Sequence, residues 1–470
     1  MVIRLTSNEI LRTVGSDQYG NKCEVVPLGY SIDSRSLRKG DCFIAIKGRN
    51  FDGHQFIDEA ILKGACLLII SQDSSIPRSL NIPYIIVQDT LLALQQLAGK
   101  VRRKWGKTVI GITGSTGKTT TKEITGHLLS SQFNVFQSFE NFNNDYGLPL
   151  SLLKLETNHE IAILELGMSA PGEIARLSKI AKPNLGVITN VRPVHLEFFS
   201  SIRAIAKAKR ELIHELPSNG VAFLNNDDVH VRKFSRFYNG EIVTFGIKRI
   251  AAYQIDKVNL KELQGSDFRV SHRGKNYNFS IPLLGYHNIS NCMPGIALAH
   301  RWRLGFDTIA AQLQTLEPKP GRGLTLHFRS GFSVIDDSYN SNPKALIMMM
   351  KLLKTISGYN RKILVAGEML EMGENSCQFH RVCGKAAAQW KFDFIIGIQG
   401  MADQIVTSAR NYGYTANQAI FFEDAHQAAE WMVSLVKPRD LVLVKGSRGV
   451  GAERVIQMLM KEFALSPQKN

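Results

Sequence analysis

Short apolar runs recur along the chain. Most lead into a polar or glycine-rich turn and then a segment whose apolar positions have helical spacing. That alternation predicts an α/β protein built on mainly parallel sheets with helices on both faces. In the first stretch Phe43–Ile46, Cys66–Ile70 and Pro83–Val87 read as strands, with a helix from about Gln55 to Lys63. A Leu- and Ala-rich helix from Thr90 leads into the strand Val109–Thr113 and a helix from Lys118 to about Ser130. Ile161–Leu166, Leu185–Asn190 and Gly220–Leu224 are further buried strands, with a helix from about Ser201 to Glu215 before the last. Glu241 to Pro282 reads as an antiparallel addition of short strands. A helix follows in which Pro294 sits early, where proline is best tolerated. Beyond the linker Pro318-Lys-Pro-Gly-Arg-Gly323, the strands Ser333–Asp336, Lys362–Ala366, Phe394–Ile398 and Leu441–Lys445 alternate with helices. The pattern implies three α/β domains, 1–88, 89–317 and 318–470.

Composition narrows the partners. Lys and Arg total 57 against 41 Asp and Glu, a net charge of +16 over 470 residues, which suits an acidic ligand. Nucleotides qualify. Nucleic acid competes through clusters such as Lys100–Lys107. Yet the charge is spread along the chain, and no helix-turn-helix, zinc-finger or aromatic RNA-binding pattern accompanies it, so no nucleic-acid partner is expected. Six cysteines without C-x-x-C pairing read as reduced thiols of a cytoplasmic protein. The amino terminus lacks the apolar core of a signal peptide, and runs such as Ala65–Ile70 are too short to span a bilayer.

The chemistry centres on Val109–Lys122, V-I-G-I-T-G-S-T-G-K-T-T-T-K. After the strand, Gly114, Ser115, Thr116 and Gly117 turn the chain into a helix. Such a turn aims backbone N–H groups and the positive end of the helix dipole at one point, which suits nucleotide phosphates. Lys118 can reach the terminal phosphates and the Thr119 hydroxyl can hold Mg²⁺. The spacing departs from the standard P-loop, which has Gly where this chain has Ile112. Polar residues at the following strand ends, Glu165, Thr189-Asn190, then His195 and Glu197, can converge on the same sheet edge. Glu165 sits in I-A-I-L-E-L-G and needs a partner, either Mg²⁺ beside Thr119 or a core Arg or Lys. His195 is a structural loop histidine or a ligand. By composition the helix carrying Lys207, Lys209, Arg210 and Glu211 is a solvated basic face. Ser31–Arg35 and Lys47–His54 are polar loops near the first strands. Asp336–Pro343, Gly367–Glu374 and Lys445-Gly-Ser-Arg448 follow strand ends in the last domain and argue for a second half of an active site.

As an ordered set these residues resemble the Mur ligases, the ATP-dependent amide-forming enzymes of peptidoglycan precursor synthesis. The set is Thr113–Thr120, Glu165-Leu-Gly, Thr189-Asn190 with His195-Leu-Glu197, His287-Asn288-Ile-Ser-Asn291, Arg322 and Asp337-Ser-Tyr339-Asn340. The resemblance implies a UDP-sugar domain, a central P-loop domain binding ATP, and a Rossmann-like C-terminal domain that closes on the ATP. D-D-S-Y-N-S-N-P, G-E-M-L-E-M-G-E and V-K-G-S-R are similar to the member that joins D-alanyl-D-alanine to UDP-N-acetylmuramoyl-tripeptide. The alternatives are a sister ligase adding another amino acid and a nucleotide-binding regulator without turnover.

The resemblance also assigns roles. Gly114, Ser115, Thr116, Gly117, Lys118, Thr119 and Thr120 would hold the ATP phosphates. Thr119 and Glu165 would bind one Mg²⁺, and His195 with a carbamylated Lys209 a second. Asn144 would lie near the reacting carboxylate. Asn288 and Asn291 would contact adenine, Arg322 a phosphate, and Asp337 the ribose, with Tyr339 beside it. Ser34, Arg35, Lys47, Phe51, Asp52, Gly53 and His54 would meet the UDP-sugar, and Lys445, Ser447 and Arg448 the other substrates. A monomer in the bacterial cytoplasm is expected. The chain departs from the family at Arg192, where Gly is usual, and at Ser200-Ser201, where Gly-Ser is usual.

Overall fold

The computed structural model describes residues 1–48, 51–72, 81–139, 142–194 and 197–467. They form two compact units. One comprises Met1–Val191, Arg203–Ala252 and Pro294–Arg303; the other comprises Arg192–Ile202, Tyr253–Met293 and Leu304–Asn470.

The first unit begins with strands β1 (Tyr19–Gly20), β2 (Tyr30–Ser31), β3 (Cys42–Ile44), β4 (Leu67–Ser71) and β5 (Tyr84–Val87). They lie in the order β1-β5-β4-β3-β2, parallel except for β1. The apolar runs of β3 and β4 are buried along their length, as a covered parallel sheet requires. The Asp89 carboxylate caps the helix Thr90–Trp105, and Gly106 ends it in the left-handed region. Trp105 Nε1 then donates to the Glu156 carbonyl (3.1 Å), which ties this helix to the connection ahead of the strand Ile161–Glu165.

That sheet contains β6 (Thr108–Thr113), β7 (Val135–Gln137), β8 (Ile161–Glu165), β9 (Leu185–Ile188), β10 (Val221–Asn225) and β11 (Glu241–Gly246). Their order is β7-β8-β6-β9-β10-β11, and every pair is parallel. The chain places β8 on one side of β6 and β9 on the other. Connections therefore diverge at the carboxyl ends of these strands and leave a crevice there. Two sequence expectations need correction. Glu241–Gly246 extends this parallel sheet; it is not part of an antiparallel addition. Pro294 lies beyond the middle of the helix Gly285–Arg301, because that helix begins before His287. Proline gives the preceding turn no N–H there, and the division between the two units falls at this residue.

In the second unit β12 (Tyr253–Leu260), β13 (Ser266–His272) and β14 (Lys275–Ile281) pair antiparallel. Phe306 of the helix Phe306–Gln314 stacks on Tyr277 with ring centroids 3.7 Å apart. Six further strands follow: β15 (Leu324–His327), β16 (Ser333–Asp336), β17 (Arg361–Gly367), β18 (Phe394–Ile398), β19 (Ala419–Phe422) and β20 (Asp440–Lys445). Their order is β15-β16-β20-β17-β18-β19, with only β15 antiparallel. Alternation along the strands fills a core on each face. Ile335, Leu364 and Leu443 enter one with Leu346 and Leu353, while Val334, Val365 and Val442 enter the other with Ala428 and Leu459. Among the described residues no helix is long and apolar enough to cross a membrane.

A buried ion pair joins the starts of β17 and β20. Arg361 Nε and Nη2 donate to Asp440 Oδ1 (2.8 Å) and Oδ2 (2.5 Å), and Asp440 is 1% exposed. Asp440→Ala leaves the Arg361 guanidinium with the Leu435 carbonyl but without its carboxylate. It is expected to cost about 3 kcal/mol, read as a lower urea midpoint at unchanged m-value.

Candidate active site

At the end of β6 the turn Gly114–Gly117 leads into the helix Lys118–Leu129. Gly117 takes φ +79°, where a side chain would be strained, and a Cβ on Gly114 would strike the Thr189 hydroxyl. The residues after β9 clamp this turn. Asn190 accepts from the Ser115 N–H through its carbonyl (2.9 Å) and from the Thr116 N–H through Oδ1 (3.1 Å). Asn190 Nδ2 and the Thr189 hydroxyl donate back to the Thr116 carbonyl (3.1 and 2.7 Å). No side-chain cap closes the helix at Gly117. Its positive end is left for an anion, with Lys118, Thr119 and Thr120 in the first turn.

Glu165, the last residue of β8, is 2% exposed. The Thr119 hydroxyl donates to its Oε2 (2.6 Å) and Asn143 Nδ2 to its Oε1 (2.8 Å). Among the described residues Glu165 makes no direct ion pair, and the buried Lys209 feels its charge. A hydroxyl beside a carboxylate is an oxygen donor set that fits a hard divalent cation. Among the described residues no group of three or more His, Cys, Asp or Glu side chains forms a metal cluster. Asn144, expected near the reacting carboxylate, accepts from the Gly147 N–H (2.9 Å) at the start of the helix Gly147–Leu152. Its neighbour Asn143 reaches Glu165.

Lys209 corrects the reading of its helix as a solvated basic face. Lys207 is exposed, but Lys209 is 1% exposed and shares the buried face of Ile202–His214 with Ile205, Leu212 and Ile213. Helical spacing among those apolar positions would have revealed this. Burial pushes the Lys209 ammonium well below the usual lysine range; the Lys118 charge adds to the shift and Glu165 opposes it. Thus Lys118, Thr119, Glu165 and Lys209 gather in one unit. His195 lies outside the described residues.

The second unit holds the other expected nucleotide contacts. Asn288 and Asn291 are buried on one face of their helix, and Asn291 Nδ2 donates to Asn288 Oδ1 (3.2 Å). Lys445 Nζ donates to Asp337 Oδ2 (2.7 Å) and the Asn340 carbonyl (2.8 Å), joining the loops after β16 and β20. Ser447 donates from its N–H to the Glu368 carbonyl (3.1 Å), which brings in the loop after β17. Burial lowers the affinity of His287 for a proton, with the nearby Asp337 opposing and Lys445 adding. The Arg322 guanidinium lies over the Tyr339 ring, and Arg448 is exposed beside it.

In the N-terminal loops Ser34 is buried and donates to Glu59 Oε2 (2.8 Å), whereas Arg35 and Lys47 are exposed. Asp52 Oδ1 lies 2.6 Å from His54 Nδ1, and His54 Nε2 accepts from the Ser71 N–H (3.0 Å). His54 therefore shares its Nδ1 hydrogen with Asp52 and fixes the loop. A Cβ on Gly53 would meet the Ile46 nitrogen at 2.7 Å, and Phe51 projects 74% exposed. Arg49 and Asn50, within the same expected loop, lie outside the described residues.

Three family models match in chain order. They are the Mur ligase family, catalytic domain, over residues 29–102, the Mur ligase middle domain over 112–299, and the Mur ligase, glutamate ligase domain, over 321–448. The chain belongs to the Mur ligase family. It is 34% identical over 450 residues to the UDP-N-acetylmuramoyl-tripeptide–D-alanyl-D-alanine ligase of Bacillus subtilis, covering 96% of each. A crystal structure of MurF from Acinetobacter baumannii matches at TM-score 0.87 and 27% identity, over 98% of this chain and 99% of that one. MurF ligase from Thermotoga maritima in complex with ADP matches at TM-score 0.81 and 31% identity, over 92% and 97%.

In this Mur ligase the clamp on the phosphate loop predicts a binding defect. Asn190→Ala removes the side-chain bonds to Thr116 and is expected to weaken ATP binding about tenfold. Calorimetric titration measures this, with the thermal midpoint as control for folding.

Proposed function

We propose that this Mur ligase joins D-alanyl-D-alanine to UDP-N-acetylmuramoyl-tripeptide at the expense of ATP, giving the UDP-pentapeptide precursor of peptidoglycan. The observation that carries the chemistry is the buried set Thr119, Glu165 and Lys209 beside the clamped phosphate loop. Identity across nearly the whole chain to ligases named for this reaction supports the substrates. The proposed domains are 1–88 for the UDP-sugar, 89–317 for ATP, and 318–470 for closing on ATP and binding the dipeptide. A monomer in the bacterial cytoplasm is the setting we propose.

A carboxylate is a poor electrophile toward an amine. In the proposed reaction a tripeptide carboxylate oxygen attacks the γ-phosphorus, the bond to the β-phosphate oxygen breaks, and ADP leaves. The N–H groups at the uncapped helix start and Lys118 would hold the phosphates in line for that transfer. The dipeptide amine then attacks the acyl phosphate carbonyl. The tetrahedral intermediate loses a proton from nitrogen and expels phosphate, and the amide remains. Mg²⁺ bound by Thr119 and Glu165 would offset the charge growing on the phosphoryl oxygens. Asn143 orients the Glu165 carboxylate for that role.

Lys209 is proposed to act as a carbamate. A neutral amine adds to carbon dioxide and loses a proton, so a depressed ammonium pKa is the prerequisite. The product places an anion, in place of a destabilised cation, near Lys118. With His195 it would supply donors for a second Mg²⁺. The rival without turnover is a nucleotide-binding regulator, and the rival within the family is a sister ligase taking another amine.

Phosphate release from ATP is expected to need both D-alanyl-D-alanine and the UDP-tripeptide, with ADP, phosphate and UDP-pentapeptide formed in equal amounts. Release with another amine and a shorter acceptor, and none with this pair, would point to the sister ligase. Binding of ATP without release under any combination would favour the regulator. A separate expectation concerns Lys209 unmodified, in buffer free of carbon dioxide. Because its folded-state pKa is lowered, the unfolded chain binds more protons between that pKa and the ordinary lysine value. Stability therefore rises with pH across that window. Urea midpoints at mildly and strongly alkaline pH should show this rise in the native chain and a shallower one in Lys209→Met.

A further inference from the structure

Two arginines from separate loops meet one aromatic ring. Arg322 Cζ lies 4.1 Å from the centroid of the Tyr339 ring and Arg448 Cζ lies 5.7 Å from it. Their backbones are anchored independently. The Gly321 N–H donates to Asp336 Oδ2 and the Gly323 N–H to the Asp336 carbonyl, each at 2.7 Å, so Arg322 sits between two fixed glycines. Tyr339 in turn donates its N–H to the Gly321 carbonyl (3.1 Å). Arg448 follows Ser447, whose hydroxyl accepts from the Leu370 N–H (3.0 Å).

Nearby negative charge is already engaged. Asp336 is buried and accepts from Gly321 and Ser338, and Asp337 pairs with Lys445. Among the described residues neither Arg322 nor Arg448 makes an ion pair. Both charges lie within reach of one ring, whose negative faces attract each of them. Each guanidinium is a planar fork of donors that matches an oxyanion.

We propose that Tyr339 is a positioning residue that holds Arg322 and Arg448 together as a two-guanidinium subsite for a substrate oxyanion. The shared chemistry is an anionic oxygen pair, from a nucleotide phosphoryl or from the dipeptide carboxylate. The inference rests on the proposed ligase reaction only for the identity of those substrates. The ring sets where the forks point, and the hydroxyl is not required for that.

The test compares Tyr339→Leu and Tyr339→Phe in the full chain, reading kcat and the KM of ATP and of D-alanyl-D-alanine separately. Tyr339→Leu is expected to raise one KM about three- to tenfold, with kcat within about twofold and the thermal midpoint unchanged. Tyr339→Phe, which keeps the ring, should recover most of that loss. The KM that moves identifies the source of the oxyanion. Arg448→Gln should raise the same KM in the native background and add little in Tyr339→Leu, because both remove one arrangement. Unmoved KM values in Tyr339→Leu, equal losses in both Tyr339 variants, or fully multiplicative effects with Arg448→Gln would overturn the proposal. Calorimetry with β,γ-imido-ATP and with D-alanyl-D-alanine separates this from failure of the ligase reading. If the native chain forms no pentapeptide, weaker binding of either probe to Tyr339→Leu that is recovered in Tyr339→Phe still supports the subsite. Equal binding of both probes to all three proteins overturns it.

Discussion

A loop that offers its N–H groups to a ligand cannot use those groups to hold its own shape. The turn Gly114–Gly117 meets this constraint by being gripped from the next strand. Thr189 and Asn190 take the Thr116 carbonyl, and Asn190 also takes the N–H groups of Ser115 and Thr116. The rest of the loop and the helix end beyond it stay open to an anion. That grip depends on β9 lying directly beside β6, with β8 on the other side. The same neighbours deliver Glu165 to Thr119. The second unit repeats the device in a different form. There Asp336, at the end of β16, holds the Gly321 N–H and the Ser338 side chain, which fixes the linker carrying Arg322.

Burial makes the polar groups near this loop consequential. Glu165 is almost fully buried, and its partners are a hydroxyl and an amide. An anion so placed is poised to take a cation. Lys209 is buried in the same unit and feels the Lys118 charge, so its ammonium is disfavoured. On the proposed reaction both features serve one end: the Glu165 carboxylate and the carbamate proposed at Lys209 would take the place of water around a metal. The positive excess of the chain fits a set of acidic substrates.

Position within the fold gives the polar residues of the N-terminal loops different surroundings. His54 is committed to Asp52 and Ser71, and Ser34 to Glu59, while Arg35, Lys47 and Phe51 remain exposed. Asn144 heads a helix, and Asn143 bonds Glu165. Tyr339 sits under two arginines, so its effect on an anion passes through them.

The sequence by itself determined the buried parallel strands, because fully covered strands are continuous apolar runs. It also determined the phosphate loop, whose glycines, Lys118 and Thr119 are adjacent in the chain and need no distant partner to be recognised. The short or edge strands Val135–Gln137, Leu324–His327 and Ala419–Phe422 were not legible, since their brief, half-exposed patterns resemble loops. Pairing on one side made Glu241–Gly246 parallel, a choice that residue pattern does not encode. Composition hid Lys209 among basic neighbours, although its helical spacing with Ile205, Leu212 and Ile213 puts it on the buried face. The clamp by Asn190, the bond from Asn143 to Glu165 and the approach of Arg322 and Arg448 to Tyr339 belong to the tertiary structure. Each joins residues far apart in the chain, and a distance or a direction in space, which no local pattern carries, decides it.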